Sequence, residues 1–218
     1  MAKVQVIQKS RKENVCRKCG KTIPVGSKYF RGEINFGPTI IRCASCGLQS
    51  WEVTTSDYIL AVGPIVYNWR DDFDFSDETV AEDIASALES IRDDQQDRLD
   101  NMPEQLQDSS TGELLQERID ALESAIDELG YIDVDDLKRD ALEEFQNDHS
   151  LGEPDPELDE LLEVTRSESE DEVEDLDYDA TLDYLEEAGR EDDADELRSS
   201  FEEALGAAID DALSALEV

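Results

Sequence analysis

The sequence contains four cysteines, and all of them fall in two Cys-x-x-Cys-Gly motifs, at residues 16–20 and 43–47. The two residues between paired sulfurs let the backbone fold into a knuckle, and the glycine that follows suits a tight turn. Two knuckles can place four thiolates around one metal ion in a tetrahedron. The spacing therefore predicts one structural Zn²⁺ ion, with these four ligands: Cys16, Cys19, Cys43 and Cys46.

Other chemistry for these cysteines is disfavoured. Two disulfides, or four unrelated buried thiols, are less expected because the sequence shows no signal peptide and no odd cysteine. A redox Cys-x-x-Cys site does not need two copies that bracket a spacer of 23 residues, at positions 20–42. A shell of four thiolates leaves no open coordination position, so we expect the metal to stabilise the fold and not to catalyse a reaction.

The elements that must position the cysteines are predicted to be short strands. An alternating pattern near Val4 indicates a first strand, and the spacer is long enough for a β-hairpin. Its strands are predicted over 28–36 and 39–42, with a turn between them, and the second strand delivers Cys43. Trp51 is expected to cover a core so small that the metal must supply much of the stability.

The apolar pattern becomes helical from Ser76 onward. One helix is predicted to run to the Met102-Pro103 pair, and a second from Thr111 to Gly130. Their similar lengths and short connection indicate an antiparallel helical hairpin, and the seam of the second helix also suits a homo-oligomer. That seam repeats every three or four residues: Leu115, Ile119, Leu122, Ile126 and Leu129.

The predicted fold class is α+β, with a small β-rich four-cysteine zinc-ribbon module followed by an acidic all-α region that contains a helical hairpin. A Thr55-Ser56-Asp57 cap signal predicts a helical stretch in the connector, and a third helix is predicted over 134–146. Residues 147–157 are predicted to be a linker, 158–162 a short helix and 165–177 a segment without fixed structure. The predicted domains are a zinc ribbon at 1–52, a connector at 53–75, the hairpin and third helix at 76–148, and an acidic linker with C-terminal helices at 149–218.

The charge of the chain is large and unevenly distributed. Its net value is −39, with +7 over residues 1–70 and −46 over residues 71–218. Disorder is one account of the acidic part, and a folded surface adapted to molar salt is the other. The regular apolar pattern and a single lysine after residue 70, Lys138, favour the second account. We therefore expect a protein of an extreme halophile or of one of its viruses, in the cytoplasm of the host or in the virion.

The cations of the zinc module have two interpretations. They form either an ordinary solvated surface or a contact surface for an anionic partner, and in so acidic a chain a basic surface favours a partner. The partner is either a protein, which includes the acidic part of this chain, or a nucleic acid, and the sequence leaves this open. The predicted contact residues are Arg17, Lys18, Lys21, Lys28 and Arg31.

Signals for catalysis and for membrane insertion are absent from the sequence. No glycine-rich phosphate loop and no nucleophile motif occurs, and the only histidine is His149, in a polar context. Carboxylates are too numerous for any pair to be nominated as acid and base. The longest apolar run, 58–66, is too short to span a bilayer and contains Gly-Pro. We therefore expect a non-enzymatic protein without a membrane partner.

The first 130 residues resemble a known group of proteins. The helical segments 99–107 and 111–118 carry part of the likeness. The zinc module carries the rest, in Lys9-Ser10-Arg11-Lys12-Glu13, Cys16-x-x-Cys19-Gly20-Lys21-x-Ile23, Gly26-x-x-Tyr29, Phe36-Gly37 and Arg42-Cys43-x-x-Cys46. These motifs resemble small four-cysteine zinc-finger proteins of tailed viruses of haloarchaea and bacteria, which implies a viral gene product with a structural zinc site.

A more distant resemblance is to the zinc finger of poly(ADP-ribose) polymerase, which binds DNA ends. That family uses three cysteines and one histidine with a longer spacer, and Cys43 stands where its histidine would be. The resemblance leaves two alternatives to an interaction module. One is a virion structural or assembly protein, and the other is a DNA-binding regulator.

The charge of residues 71–218 generates a prediction about salt. At low ionic strength their net charge of −46 should loosen the helices by self-repulsion, and molar KCl should restore them, because the Debye length falls to about 3 Å. Circular dichroism measured against KCl concentration tests this. Full helicity in dilute buffer would contradict adaptation to salt and indicate helices held by packing alone.

Overall fold

The computed structural model of the 218-residue chain describes residues 4–34, 37–73, 79–149 and 178–216. The predicted α+β class is confirmed, since a small antiparallel sheet with the four cysteines precedes a helical region. The chain divides into two compact units, Met1–Asp72 with Ala87–Leu122 and Leu216–Val218, and Phe73–Ser86 with Glu123–Ala215. The domain boundaries proposed from the sequence stay predictions.

Five short strands form the start of the first unit. They are β1 (Val4–Ile7), β2 (Asn14–Val15), β3 (Thr22–Ile23), β4 (Tyr29–Glu33) and β5 (Thr39–Cys43). Strands β1, β4 and β5 pair antiparallel in that order, and β2 pairs antiparallel with β3. The hairpin that delivers Cys43 is therefore present, although β4 ends earlier than the sequence pattern predicted.

One face of the three-stranded sheet packs on the segment that follows the second knuckle. Gly32 in β4 has no side chain because Val53 and Leu48 occupy that space: an added Cβ would lie 2.5 Å from a methyl carbon of Val53. Val53 and Leu48 are both buried. Arg42 in β5 and Glu52, the residue before Val53, form an ion pair of 3.1 Å.

Helix α1 (Asp57–Asp72) follows, within the connector for which the sequence predicted a helical stretch. The predicted cap is confirmed, because the Ser56 hydroxyl oxygen accepts a hydrogen bond from the Ile59 amide at 3.4 Å. The helix continues through Pro64, and Gly63 before it has no Cβ to clash with the proline ring. One face of α1 is buried, by Tyr58, Val62, Ile65 and Trp69.

Gly63 also explains the position of Trp51. An added Cβ at Gly63 would lie 2.5 Å from the indole ring, so the ring lies directly against the helix backbone. The indole Nε1 is buried and has no hydrogen-bond partner among the described residues. Trp51 therefore packs against α1, and its expected cover of the core of the zinc module stays a prediction.

The next three helices are α2 (Val80–Asp100), the single turn α3 (Glu104–Gln107) and α4 (Ser110–Gly130). The predicted bounds of the two long helices are close to the observed ones. Two contacts join them to α1 within the first unit. Arg98 of α2 pairs with Asp57 at 3.4 Å, and the Arg118 guanidinium of α4 lies 4.4 Å from the Tyr58 ring centroid. The predicted antiparallel pairing of α2 with α4 stays a prediction.

The buried stripe of α4 differs from the predicted heptad at one position. Ala125 is fully buried, whereas Ile126 is only half-buried. A straight α-helix has 3.6 residues per turn and drifts away from a strict seven-residue repeat, so the buried line moves back by one residue. The observed stripe is Leu115, Ile119, Leu122, Ala125 and Leu129.

Helices α5 (Val134–His149), α6 (Tyr178–Glu187) and α7 (Glu191–Leu213) pack against one another in the second unit. Gly189 ends α6, as a glycine just after a helix commonly does. This glycine has a φ of 72° and donates to the Glu186 carbonyl at 3.1 Å, and the Arg190 amide donates to the Leu185 carbonyl at 2.9 Å. These two bonds are those of a Schellman motif, which ends α6 and turns the chain into α7.

Several sequence predictions concern residues outside the described ranges. The short helix at 158–162 and the unstructured segment at 165–177 lie there, as does the linker from residue 150 onward. The linker prediction was wrong at its start, because α5 continues to His149. Polar and acidic residues at a helix end do not by themselves stop a helix, and no glycine or proline occurs between Gly130 and Gly152.

Packing of α1 predicts that Gly63→Ala destabilises the first unit, by about 1–3 kcal/mol. The new methyl group would collide with the Trp51 ring and with the proline that follows. Gly130→Ala is the matched control, since its methyl group would enter open space, and we expect no loss of stability. Denaturant unfolding followed by tryptophan fluorescence measures both variants, and equal stability of the two would contradict the assigned contact.

Candidate metal centre

The first knuckle joins β2 to β3. Cys16 follows β2 directly, its amide donates to the Lys21 carbonyl at 2.9 Å, and the Gly20 amide donates to the Cys16 carbonyl at 2.9 Å. Gly20 has a φ of 70°, a left-handed conformation that favours glycine. The glycine expected from the motif is therefore required by the backbone, and the loop brings Cys19 back beside Cys16.

The second knuckle begins at the last residue of β5, Cys43. The amides of Cys46 and Gly47 both donate to the Cys43 carbonyl, each at 3.2 Å, and Gly47 has a φ of 63°. A bond of 2.9 Å from the Arg17 amide to the Ile41 carbonyl fixes the first knuckle beside β5. Strand pairing and this single cross-link thus bring the two knuckles together.

The four cysteine sulfurs converge on one point. All four Sγ atoms lie within 4.8 Å of one another, and those of Cys19 and Cys43 are 3.8 Å apart. A zinc–thiolate bond of about 2.3 Å gives a tetrahedron whose edges are about 3.8 Å, so the observed spacing fits this geometry. All four cysteines are free thiols. The site can therefore hold a metal ion.

The electrostatics of the thiols also fit a cation. Burial raises the pKa of Cys16, but hydrogen bonds from the amides of Cys19, Cys43 and Lys18 outweigh it and lower that pKa to about 6. A hydrogen bond with the Cys46 thiol lowers the pKa of Cys43. Its hydrogen bond with the Cys43 thiol and, to a smaller extent, that with the Cys19 thiol raise the pKa of Cys46 to about 12. Four thiolates this close would repel one another, and a positive ion between them would relieve that repulsion.

The centre lies at the surface of its module. Cys16 is buried, Cys43 and Cys46 are half-buried, and Cys19 is exposed. With all four positions of a tetrahedron taken by sulfur, a bound ion would have no site for water or substrate. The arrangement can cross-link the two knuckles, and its donor set offers no catalytic position.

Four of the five predicted contact residues are exposed. Arg17, Lys18 and Lys21 lie on the loop of the first knuckle, and Lys28 follows the turn before β4, where its Nζ lies 5.5 Å from the Phe30 ring centroid. The fifth, Arg31, is half-buried within β4 and forms an ion pair with Glu33. The structure therefore brings three of these residues together beside the metal centre.

Sequence reasoning missed Ser10, which organises the loop before β2. This side chain is 3% exposed in the middle of the Lys9–Lys12 cationic run. Its hydroxyl donates to the Lys12 carbonyl and accepts a bond of 2.9 Å from the Asn14 amide group. A serine followed by an asparagine in a charged loop is the available signal, because both side chains readily bond to nearby backbone.

Comparisons with known proteins do not assign this centre to a family. No protein-family model, no curated protein and no solved structure matches the chain. Among the described residues, no helix is long and apolar enough to cross a membrane. Function has to be argued from the site itself.

The geometry predicts that Cys43→Ser abolishes metal binding and unfolds the strand-rich part of the chain. A hydroxyl is a poor replacement for a thiolate, and residues 4–52 bury few apolar side chains. The helices should keep most of their circular dichroism, because they have their own buried stripes. Metal analysis together with proteolysis of residues 1–52 measures this, and Ala44→Ser, an exposed position between the paired cysteines, is the control.

Proposed function

We propose that the protein is a non-enzymatic zinc-binding interaction protein, whose strand-rich module is cross-linked by one structural zinc ion and displays cations to an anionic partner. The observation that carries the proposal is the convergence of four thiols within 4.8 Å at the tips of two glycine-closed knuckles. Zinc would hold the loops in place. The contact would be made by side chains on those loops.

Zinc is the ion that this donor set favours. Four thiolates in a tetrahedron suit zinc or iron, and the hard cations magnesium and calcium prefer oxygen ligands. Zinc has no redox chemistry and no geometric preference of its own, so it suits a cross-link whose only role is structural. This role agrees with a site that has no open coordination position.

A surplus of cations supports the contact role. Residues 4–52 contain nine lysines and arginines and three acidic residues, in a chain with a net charge of −39. A zinc ion with four thiolates forms a dianionic centre. Only part of the positive charge of these lysines and arginines is needed to compensate it. Arg31 and Arg42 form ion pairs within the module, and Lys28 lies over the Phe30 ring, so it is the other cations that most clearly support a contact with a partner.

The helical part would act as a scaffold in a high-salt compartment. Its one lysine, Lys138, is 8% exposed and pairs with Asp179 at 3.0 Å. The cations of its described surface are therefore arginines, among many more carboxylates. Dense carboxylates keep a surface hydrated where salt screens their mutual repulsion. This composition supports the halophilic cytoplasm or virion expected from the sequence.

Metal identity tests the proposal directly. Protein purified without chelator should contain one zinc ion per chain by native mass spectrometry, and cobalt substitution should give the visible absorption of a tetrahedral thiolate site. Cys19→Ser should remove both signals, whereas Ser45→Ala, at an exposed position inside the second knuckle, should keep them. A coloured iron-containing protein, or protein folded at residues 4–52 without metal, would contradict the zinc assignment.

A further inference from the structure

Seven exposed cations surround the small β2–β3 pair. None of them lies within ion-pair distance of a carboxylate in the part of the chain that the structure describes. Six of them lie on two loops, and the seventh, Lys28, directly precedes β4. The seven are Lys9, Arg11, Lys12, Arg17, Lys18, Lys21 and Lys28.

The first loop is held by Ser10, whose backbone and side chain all take part in hydrogen bonds. Its amide donates to the Ser27 carbonyl at 2.9 Å, and its carbonyl accepts from the Gly26 amide at 2.8 Å. Its hydroxyl bonds to Lys12 and to Asn14. The neighbours of this buried serine, Lys9 and Arg11, therefore project into solvent from a fixed backbone.

The second loop is the first knuckle itself. Arg17 and Lys18 lie between the paired cysteines and Lys21 closes the loop, with the backbone bonds of the metal centre fixing both ends. The two loops occupy opposite ends of β2–β3, a pair only two residues long, which spans about 7 Å. Each strand of a duplex carries one phosphate for every 3.4 Å or so of helix axis, so both loops can reach the same strand.

We propose that these two loops form a surface that binds the phosphate backbone of nucleic acid, without reading its sequence. The proposal deepens the proposed function, because zinc would hold one of the two loops. It commits to one class of anionic partner. The contacts would come from lysine and arginine side chains, and contacts to phosphate carry no direct sequence information.

The residue types favour nucleic acid over an acidic protein. Five of the seven cations are lysines, which are depleted in protein–protein interfaces but common in contacts to phosphate. Only two large apolar side chains of the β2–β3 region are strongly exposed, Val15 at 58% and Val25 at 65%. Aromatic anchors of the kind that dominate protein interfaces are half-buried in the sheet, at Tyr29 and Phe30.

The overall charge of the chain does not prevent this contact. A net charge of −39 repels a polyanion at long range, but in the molar salt of the proposed compartment the Debye length falls to about 3 Å, and phosphate contacts weaken there as well. Charges farther from the loops than this length contribute little to the potential there, so a contact between the basic loops and phosphate depends mainly on local charge.

Fluorescence anisotropy of the full chain tests the surface. The probe is labelled DNA longer than a single-strand site of roughly 16 nucleotides, used both as a single strand and as a duplex. We expect binding to both forms, with log affinity falling linearly as log salt rises between about 0.1 and 1 M KCl. Charge reversal by K9E/R11E/K12E should lower affinity at least about 100-fold and make the slope shallower by about 3.

A second triple variant tests the knuckle loop, with zinc content as an additional measurement. R17E/K18E/K21E should weaken binding to a similar extent while zinc stays bound. The matched control is R98E/R139E/R198E, which changes the net charge equally at exposed ion pairs on helices, and it should bind DNA as the unaltered chain does.

Four outcomes would overturn the proposal. The first is no binding to DNA, and the second is unchanged binding in both triple variants of the loops. The third is an equal loss of DNA affinity in the helix control. The fourth is displacement of DNA by polyglutamate as efficiently as by unlabelled DNA of equal charge. The last result would assign the surface to an acidic polypeptide. If the chain still contains zinc, any of these outcomes overturns only the nucleic-acid surface, and the structural role proposed for zinc stands. If the chain contains no zinc, the proposed function itself is contradicted.

Discussion

Convergence of four sulfurs is the interaction on which the strand-rich module depends. Its strands contain two to five residues each, and among the described residues before residue 50 the buried apolar side chains are Cys16, Ile23 and Leu48. A core of this size cannot offset the entropy lost when the backbone is ordered. A metal–thiolate cross-link can, because its binding free energy appears only when both knuckles are formed. With a metal ion bound at this site, loops, strands and metal would therefore form together.

Charge is the second constraint, and it acts on the helical region. Residues 71–218 have to fold against a net charge of −46, and the surface ion pairs of the described helices contribute little each. What remains is the continuous apolar stripe of each helix, such as Leu197, Leu205 and Ile209 in α7, all fully buried. Lys138 fits the same logic, because its ammonium lies 5.5 Å from the Tyr178 ring centroid and its stem is buried among the helices.

Much of this architecture could be predicted from the sequence because it depends on local rules. The Cys-x-x-Cys-Gly spacing fixed the knuckles, Ser56 capped α1, and Gly189 ended α6, each through bonds within a few residues. The role of Gly63 could not be predicted in the same way. It depends on Trp51, a residue twelve positions earlier that only the tertiary fold brings against α1.

The same distinction applies to the site. The four cysteines were recognisable because their chemistry is specific, and the cations because of their number. Ser10 was not, since its importance arises from a carbonyl at Ser27 and an amide at Gly26, which lie beyond the first knuckle in sequence. Register and loop contacts of this kind are set by the folded chain and leave only a weak pattern in its residue types.

A closed metal site and a set of exposed cations have one physical connection. Because four thiolates exclude any further ligand, the metal centre can contribute to function only through the rigidity that it gives to neighbouring backbone. Rigid loops lose less entropy when they bind a partner, so side chains placed there gain more affinity per contact than the same side chains on a free tail. The cations at Arg17, Lys18 and Lys21 lie on the backbone that the cysteines fix most directly. The role of a metal ion at this site is therefore best sought in what these loops contact.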